Sequence, residues 1–230
     1  MKPLGGKAYG HIPHLSKSRL GPGDHTCHIG QENILTKKTR DYRDLVIVTE
    51  KLDGSNCSVA KIDGVLYSLT RAGYNASSSP YKQHHVFNEW VKGNLKRFDR
   101  LLSDGERACG EWLYQAHGTR YQLPHEPFVI FDIIQGKKRV SYIELIKRAA
   151  KYDFITPRLI HIGAPITVSR VLKVLEPSGH GAIDPVEGAV WRVERSGVFD
   201  FIAKYVRPGK VDGKYMDNIL VNIWGLRGEY

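Results

Sequence analysis

LVIVTEKLDGSN, running from Leu45 to Asn56, decides how the rest of this chain is read. The apolar residues Leu45 to Val48 signal a strand, and the polar turn after them carries Lys51, Asp53, Gly54 and Asn56. A lysine placed where a strand gives way to a tight turn is set up as a nucleophile. An ordinary lysine amine, with a pKa of about 10.4, is almost wholly protonated at neutral pH, so attack needs a nearby cation, partial burial or a bound metal to favour the free base. Asp53 shares a side of the extended chain with Lys51 and can accept hydrogen bonds from a ribose or from the turn, while Gly54 lets the backbone close beneath a ligand. The same residues also suit a surface strand and an Asp-Gly hairpin turn. The decision therefore rests on what the remaining residues supply.

Working outward, SNCSVAKID (55–63) and GVLYSLTR (64–71) read as two further strands turned at Asp63 and Gly64. Apolar residues at Val86, Phe87, Trp90, Val91, Leu95, Phe98, Leu101 and Leu102 keep helical spacing and predict one helix running through Gly93. RACGEWLY (107–114) reads as a strand or turn segment and FVIFDII (128–134) as an apolar run, followed by a charged hairpin from Gly136 to Arg139. A helix is expected over 140–152, a short strand over 158–162, and a helix over 168–176 ended by Pro177 and Gly179. GAVWRVER (188–195) and DFIAKYV (200–206) complete the strands. Residues 1–44, rich in Gly, Pro, His and charge, are expected to form an irregular arm packed on a catalytic domain of residues 45–230. Strands, then helices, then strands disfavour a doubly wound parallel sheet and predict an antiparallel α+β fold.

The 34 Lys and Arg exceed the 24 Asp and Glu, a net charge of +10 that implies a polyanionic partner. An anionic membrane surface would suit such a chain too, but no apolar stretch is long enough to span a bilayer and the N-terminus has no secretory apolar core. With three cysteines, Cys27, Cys57 and Cys109, a disulfide framework is disfavoured and an intracellular, cytoplasmic location is expected.

Other residues gain meaning beside Lys51. Arg71, ending a strand before a polar loop, offers a donor fork for phosphate or ribose oxygens. Glu111, in CGEWLY, suits ribose hydroxyls or a metal, and the alternative is a strand glutamate paired with a lysine. Phe131 can stack on a base, or simply join the core, and in a regular strand Asp132 points the other way. Glu187, followed by glycine before an apolar strand, could face a divalent ion on a triphosphate. Lys204 lies inside a largely apolar strand, where a second cation would bind phosphate and help activate Lys51; an exposed edge strand is the alternative.

Taken together, EKLDGSN (50–56), TRAG (70–73), GEW (110–112), FDI (131–133), EGAV (187–190) and AKYV (203–206) resemble the ordered motifs of covalent nucleotidyltransferases, the ATP-dependent polynucleotide ligases and mRNA capping enzymes. TEKLDGSN looks most like ATP-dependent RNA ligases that seal nicks in duplex RNA. The resemblance implies a two-lobed, mainly antiparallel adenylyltransferase domain, an ATP-grasp-like ligase core without a C-terminal oligonucleotide-binding (OB) domain. It implies that Lys51 attacks the ATP α-phosphate, pyrophosphate leaves and lysyl-AMP remains. Glu50 would contact the adenine end through side chain or backbone, Arg71 and Glu111 the ribose and neighbouring phosphate, and Phe131 the adenine face. Asp53 and Asn56 would complete the nucleotide site, Glu187 and Glu111 would hold Mg²⁺ or Mn²⁺, and Lys204 would meet the α-phosphate. The implied partner is RNA as a nicked duplex or bridged break, with a DNA strand, or a separate protein supplying a strand-binding domain, as alternatives. DNA ligation, GTP-dependent capping and a binding module without catalysis are the competing functions.

Two departures qualify the match. The last motif usually has two lysines separated by one residue, yet Val206 follows Tyr205; either Arg207 or Lys210 supplies the charge, or Lys204 matches the second lysine and Ile202 the first. The stretch after Val206 is also too short for an oligonucleotide-binding barrel. In the arm, His11, His14, His25, Cys27 and His28 are metal-ligand types whose spacing fits no familiar zinc module, and Lys17 and Arg19 could grip phosphate. Lys92, Lys96, Arg97 and Arg100, with Lys137, Lys138 and Arg139, are candidate contacts to an RNA backbone.

Overall fold

The computed structural model describes residues 2–210 and 220–224. In chain order it contains α1 (Ile29–Thr36), β1 (Asp44–Lys51), β2 (Ser55–Ile62), β3 (Val65–Thr70), α2 (Lys82–Gly93), α3 (Leu95–Leu101), β4 (Glu106–Trp112) and β5 (Gln122–Leu123). Then come β6 (Phe128–Gln135), β7 (Lys138–Arg139), α4 (Tyr142–Lys151), β8 (Leu159–Gly163), α5 (Val168–Leu172), β9 (Gly188–Arg195), β10 (Val198–Val206) and β11 (Ile223–Trp224). The chain divides into two compact units. Unit 1 comprises Met1–Gly10, Gly54–Gln115 and Glu126–Thr156; unit 2 comprises His11–Asp53, Ala116–His125 and Pro157–Tyr230. The arm expected at 1–44 is thus shared between them, its first ten residues with unit 1 and the remainder, including α1, with unit 2.

Unit 1 is built on an antiparallel sheet ordered β3-β2-β4-β6-β7. Alternation turns Cys57, Val59, Ala108, Trp112, Phe128, Ile130 and Ile133 to one face, where they join Phe87, Val91 and Phe98 from α2 and α3 and Leu145 and Ala149 from α4. The single helix expected through Gly93 is instead two. Asn94 breaks it, its amide donating to Val91 O and its side chain to Trp90 O at 2.8 Å, because Gly93 and Asn94 resist the helical conformation and the side chain competes for a helical carbonyl.

β6 departs from regularity too. Its pairing with β4 shifts between Cys109 and Gly110, so Cys109 opposes Asp132 while Gly110 opposes Ile130. Phe131 is the extra residue of a β-bulge, and Phe131 and Asp132 consequently share the face away from the helices. There the Tyr9 ring meets Phe131 edge-on at 5.1 Å while its hydroxyl donates to Asp132 Oδ2 at 2.7 Å. The expectation that Asp132 points away from Phe131 held only for a regular strand, and the bulge overturns it.

Unit 2 carries an antiparallel sheet ordered β10-β9-β1-β8. Val46, Val48, Ala189, Trp191, Val193, Ala203 and Tyr205 pack on one face with Leu15, Leu35, Val171 and Leu175. The helix expected over 168–176 stops at Leu172. The guanidinium of Arg158 donates to the carbonyls of Val174, Leu175 and Pro177 at 2.6 to 2.9 Å, so the chain turns around this side chain rather than continuing as helix. Among the described residues, no helix is long and apolar enough to cross a membrane.

Candidate active site

In unit 2, Lys51 ends β1 with its Nζ paired to Glu187 and donating to the Leu52 carbonyl at 3.2 Å. Glu187 directly precedes β9, whose Gly188 opposes Lys51 on one side and Val206 on the other. A Cβ on Gly188 would lie 1.9 Å from the Tyr205 carbonyl oxygen, so the glycine is what allows β9 to start this close to β10. Burial pushes the Glu187 carboxyl above its ordinary range, and the neighbouring Lys51 opposes that shift.

Strand alternation sends the side chain of Glu50 to the opposite face. It is buried, accepting from Ser178 Oγ at 2.5 Å and the Gly179 amide at 2.9 Å, with Arg158 Nε at 3.3 Å. The carboxylate is thereby occupied in fastening the 178–179 loop. Asp53 is likewise buried: its Oδ2 accepts from the Thr119 amide at 2.7 Å and pairs with Lys210 Nζ, and its own amide donates to the Tyr121 hydroxyl at 3.1 Å. The donors to Asp53 thus come from residues distant in the chain rather than from its own turn.

Lys204 opposes Val190, which opposes Thr49, so Lys204 and Lys51 lie on one face of the sheet. Its Nζ is 3.6 Å from Asp24 Oδ1. Three lysines in unit 2 are therefore each matched to a carboxylate: Lys51 with Glu187, Lys210 with Asp53, Lys204 with Asp24. Lys204, the expected second cation, thus shares the face of Lys51 and carries its own carboxylate partner. His117, half-buried, is held below its usual basicity by burial, with Asp53 favouring and Lys210 and Lys51 opposing its charge. This histidine and the Thr119 and Tyr121 contacts gave no sequence signal, because only folding carries residues 116–125 to the turn after β1.

Unit 1 presents the remaining candidates on the sheet face away from its helices. Glu111 Oε1 accepts from the Gly54 amide at 3.1 Å, and Asn56 opposes Glu111 across β2 and β4. A Cβ on Gly54 would lie 2.5 Å from the Trp112 carbonyl, which explains the glycine. Asn56 Oδ1 is buried with no hydrogen-bond partner among the described residues, an acceptor available to a ligand donor. Phe131 is half-buried and leaves part of its ring accessible. Arg71 is exposed, donating to Gly10 O at 3.1 Å while its carbonyl accepts the Ala8 and Tyr9 amides.

A sequence model of the RNA ligase family matches residues 44–206, most of the chain and the candidates from Glu50 to Lys204. The chain belongs to the RNA ligase family. Among solved structures, a Naegleria gruberi RNA ligase variant with ATP and Mn has a TM-score of 0.54 at 14% identity, over 88% of this chain and 58% of that one. An archaeal ATP-dependent RNA ligase has a TM-score of 0.50 at 19% identity, over 86% and 48%. A putative ATP-dependent DNA ligase from Aquifex aeolicus has a TM-score of 0.50 at 17% identity, over 86% and 49%. An uncharacterized protein of Methanocaldococcus jannaschii is 24% identical over 103 residues, 45% of this chain and 22% of that protein. The chain spans about half the length of the structures it resembles, and at these identities the likeness is one of fold.

The donor chemistry of this RNA ligase family member fits Mg²⁺ or Mn²⁺. Among the described residues no three His, Cys, Asp or Glu side chains gather as a metal cage. A buried carboxylate such as Glu187 with few protein partners suits a hard cation that keeps waters and takes most other ligands from a nucleotide's phosphates. Two of the arm's metal-ligand types are otherwise employed: His14 bonds Ser18 and faces Asp24, and His28 caps α1 through the Gly30 amide.

Proposed function

We propose that this chain is an ATP-dependent RNA ligase that joins 5′-phosphate and 3′-hydroxyl ends through a covalent lysyl-AMP. The observation carrying this reading is the pairing of Lys51 with the buried Glu187 at the end of β1, within the stretch that matches the family. Glu187, made more basic by burial, takes a proton from the Lys51 ammonium. The neutral amine attacks the α-phosphorus of ATP; the P–N bond forms as the bond to the bridging oxygen breaks, pyrophosphate leaves with that electron pair, and the second amine proton passes to solvent. AMP then moves from Lys51 to an RNA 5′-phosphate, and a 3′-hydroxyl attacks that phosphate and expels AMP.

Lys204 supplies positive charge to the α-phosphate, and Lys210, fixed by Asp53, stands for the second lysine of the last motif. Asn56, Glu111 and Arg71 take ribose and phosphate oxygens, Phe131 the adenine face, and Glu50 the adenine edge through its backbone. Glu187, once the proton taken from Lys51 has passed to solvent, would ligate a divalent cation that neutralises charge on the phosphates. The exposed Lys92, Lys96, Arg100, Lys137 and Lys138 hold a nicked duplex or bridged RNA break through phosphate contacts, so binding weakens steeply as salt rises, whereas Arg97 is taken up by Glu126 and Arg139 by the buried Asp132.

The test is incubation with each α-labelled nucleoside triphosphate and Mg²⁺, followed by mass spectrometry of a digest. ATP should place one AMP on the Lys51 peptide, and Lys51→Ala should abolish the adduct. Labelling that survives Lys51→Ala, or that requires GTP, would overturn the nucleophile or the nucleotide respectively. A pre-adenylylated nick then separates acceptors: sealing of DNA but not RNA removes the RNA assignment.

A further inference from the structure

The segment ahead of β1 meets the Lys204 strand through both main chain and side chains. The Lys204 amide donates to Pro13 O at 2.9 Å and the Leu15 amide to Lys204 O at 2.8 Å, so residues 13–15 run beside β10 as an added strand. His14, in the middle, is buried, with Nδ1 2.6 Å from Ser18 Oγ and Nε2 in a bent contact 3.1 Å from Asp24 Oδ2. Ser18 Oγ accepts the Val206 amide at 2.9 Å. One set of protons satisfies the whole chain of contacts: Val206 N–H to Ser18, Ser18 O–H to His14 Nδ1, and His14 Nε2–H toward Asp24. His14 is then neutral, as its burial and the nearby Lys204 also require, holding it at about 4.

Asp24 Oδ2 additionally accepts the Gly21 amide at 3.0 Å. Partial burial works against its ionisation, but the Gly21 amide, Lys204 and His14 outweigh it and hold the carboxyl below its usual range. One oxygen is thus fixed by the arm, leaving the other facing Lys204 Nζ at 3.6 Å. Both ammonium groups on this sheet face have a carboxylate beside them, but the two differ: Asp24 is pinned by the arm and held ionised next to Lys204, whereas Glu187, raised by burial, is the one able to take a proton from Lys51.

We infer that Asp24 is a positioning residue for nucleotidyl transfer, held by His14 and the Gly21 amide so that Lys204 stays a fixed cation while Lys51 serves as nucleophile. The inference rests on the adenylylation proposed above. Asp24 touches none of the reacting atoms and acts through Lys204. It gives residues 13–24 a part in the chemistry, although they lie outside the stretch that matches the family.

The experiment measures single-turnover lysyl-AMP formation against ATP concentration for Asp24→Asn, Asp24→Glu, Lys204→Ala and the Asp24→Asn, Lys204→Ala double variant. Asp24→Asn should lower the maximal rate about tenfold while moving half-saturation less than about twofold, and Asp24→Glu should recover most of the rate. The double variant should be no slower than Lys204→Ala alone. Additive losses, or a wild-type rate in Asp24→Asn, overturn the positioning role. A readout independent of catalysis is the acetylation of Lys204 by limiting acetic anhydride, which should rise about threefold or more in Asp24→Asn once the ammonium loses its anion. Unchanged acetylation overturns the pairing whether or not adduct forms. Wild-type protein that forms no lysyl-AMP overturns instead the functional reading on which the role depends, a result distinguishable because the acetylation change would still be present.

Discussion

Unit 1 backs its sheet with rings, whereas unit 2 lines its sheet with ion pairs. In the first, Phe128 contacts Phe87, Trp90 and Phe98 at centroid distances of 5.2, 5.5 and 6.0 Å, a dense aromatic core beneath the strands that carry Glu111 and Phe131. In the second, Lys51, Lys204 and Lys210 each meet a carboxylate, and the Arg192–Glu194 pair is nearly inaccessible to water. Apolar burial is indifferent to pH and stabilises in proportion to area. Paired charge instead contributes little net stability but holds each group in a defined place and protonation state. One unit is suited to presenting a rigid surface, the other to chemistry.

The contrast can be broken hardest at its aromatic side. Phe128→Ala should destabilise the protein by about 3 to 5 kcal/mol, because the cavity lies among rings that cannot collapse into it. Urea unfolding gives the value, and a loss under about 1 kcal/mol would mean that the ring core is not what holds unit 1.

On the charged side, Glu187→Gln should leave the urea midpoint within the range of ordinary point variants yet slow lysyl-AMP formation about a hundredfold. Single-turnover labelling checks it. Equal rates for variant and wild type would deprive the Lys51–Glu187 pair of its proposed part.

The pH dependence sharpens the comparison, since the strongly depressed histidines belong to unit 2. His180 is pulled down to about 3 by burial, with His125 and Arg158 adding to the effect, and His14 to about 4. Both folded values lie below the unfolded value of 6.5, so in the interval between, the unfolded chain binds protons that the native chain does not. Stability should therefore fall as pH drops from about 6.5 toward about 4, by up to about 1.4 kcal/mol per pH unit for each histidine. Urea midpoints across that range test the sign, and His180→Asn should make the fall shallower.

The smallest effect is expected where α2 meets α3. Asn94→Ala removes the bond to Trp90 O and the one accepted from Arg97 at 2.7 Å, and should cost about 1 kcal/mol. A stabilising result would show that one continuous helix competes with the observed break.

Local structure was legible wherever neighbouring residues suffice. The strand before Lys51, the turn at Asp63 and Gly64, and the glutamate-glycine pair at 187–188 depend on local backbone preference, and they stand as expected. The break at Asn94 was misjudged because apolar spacing crosses it unperturbed, so the pattern reports the face to be buried and not the capping bonds that divide the helix. The bulge at Phe131 was invisible for a related reason: FVIFDII is apolar in either register, and only pairing with β4 reveals the extra residue.

The order of motifs from Glu50 to Lys204 was by itself enough for the resemblance to nucleotidyltransferases of the RNA ligase kind, and backbone turns and strand alternation, which act over a few residues, were enough for the strands that carry those motifs. Which partner each side chain meets was decided by the tertiary structure alone. Glu50 is directed to the Ser178 loop, Asp53 to Thr119 and Lys210, and Lys204 to an aspartate in the arm. Charge pairing depends on distances of a few ångströms between residues far apart in the chain. Those distances are set by strand register and packing, which no short stretch of sequence contains.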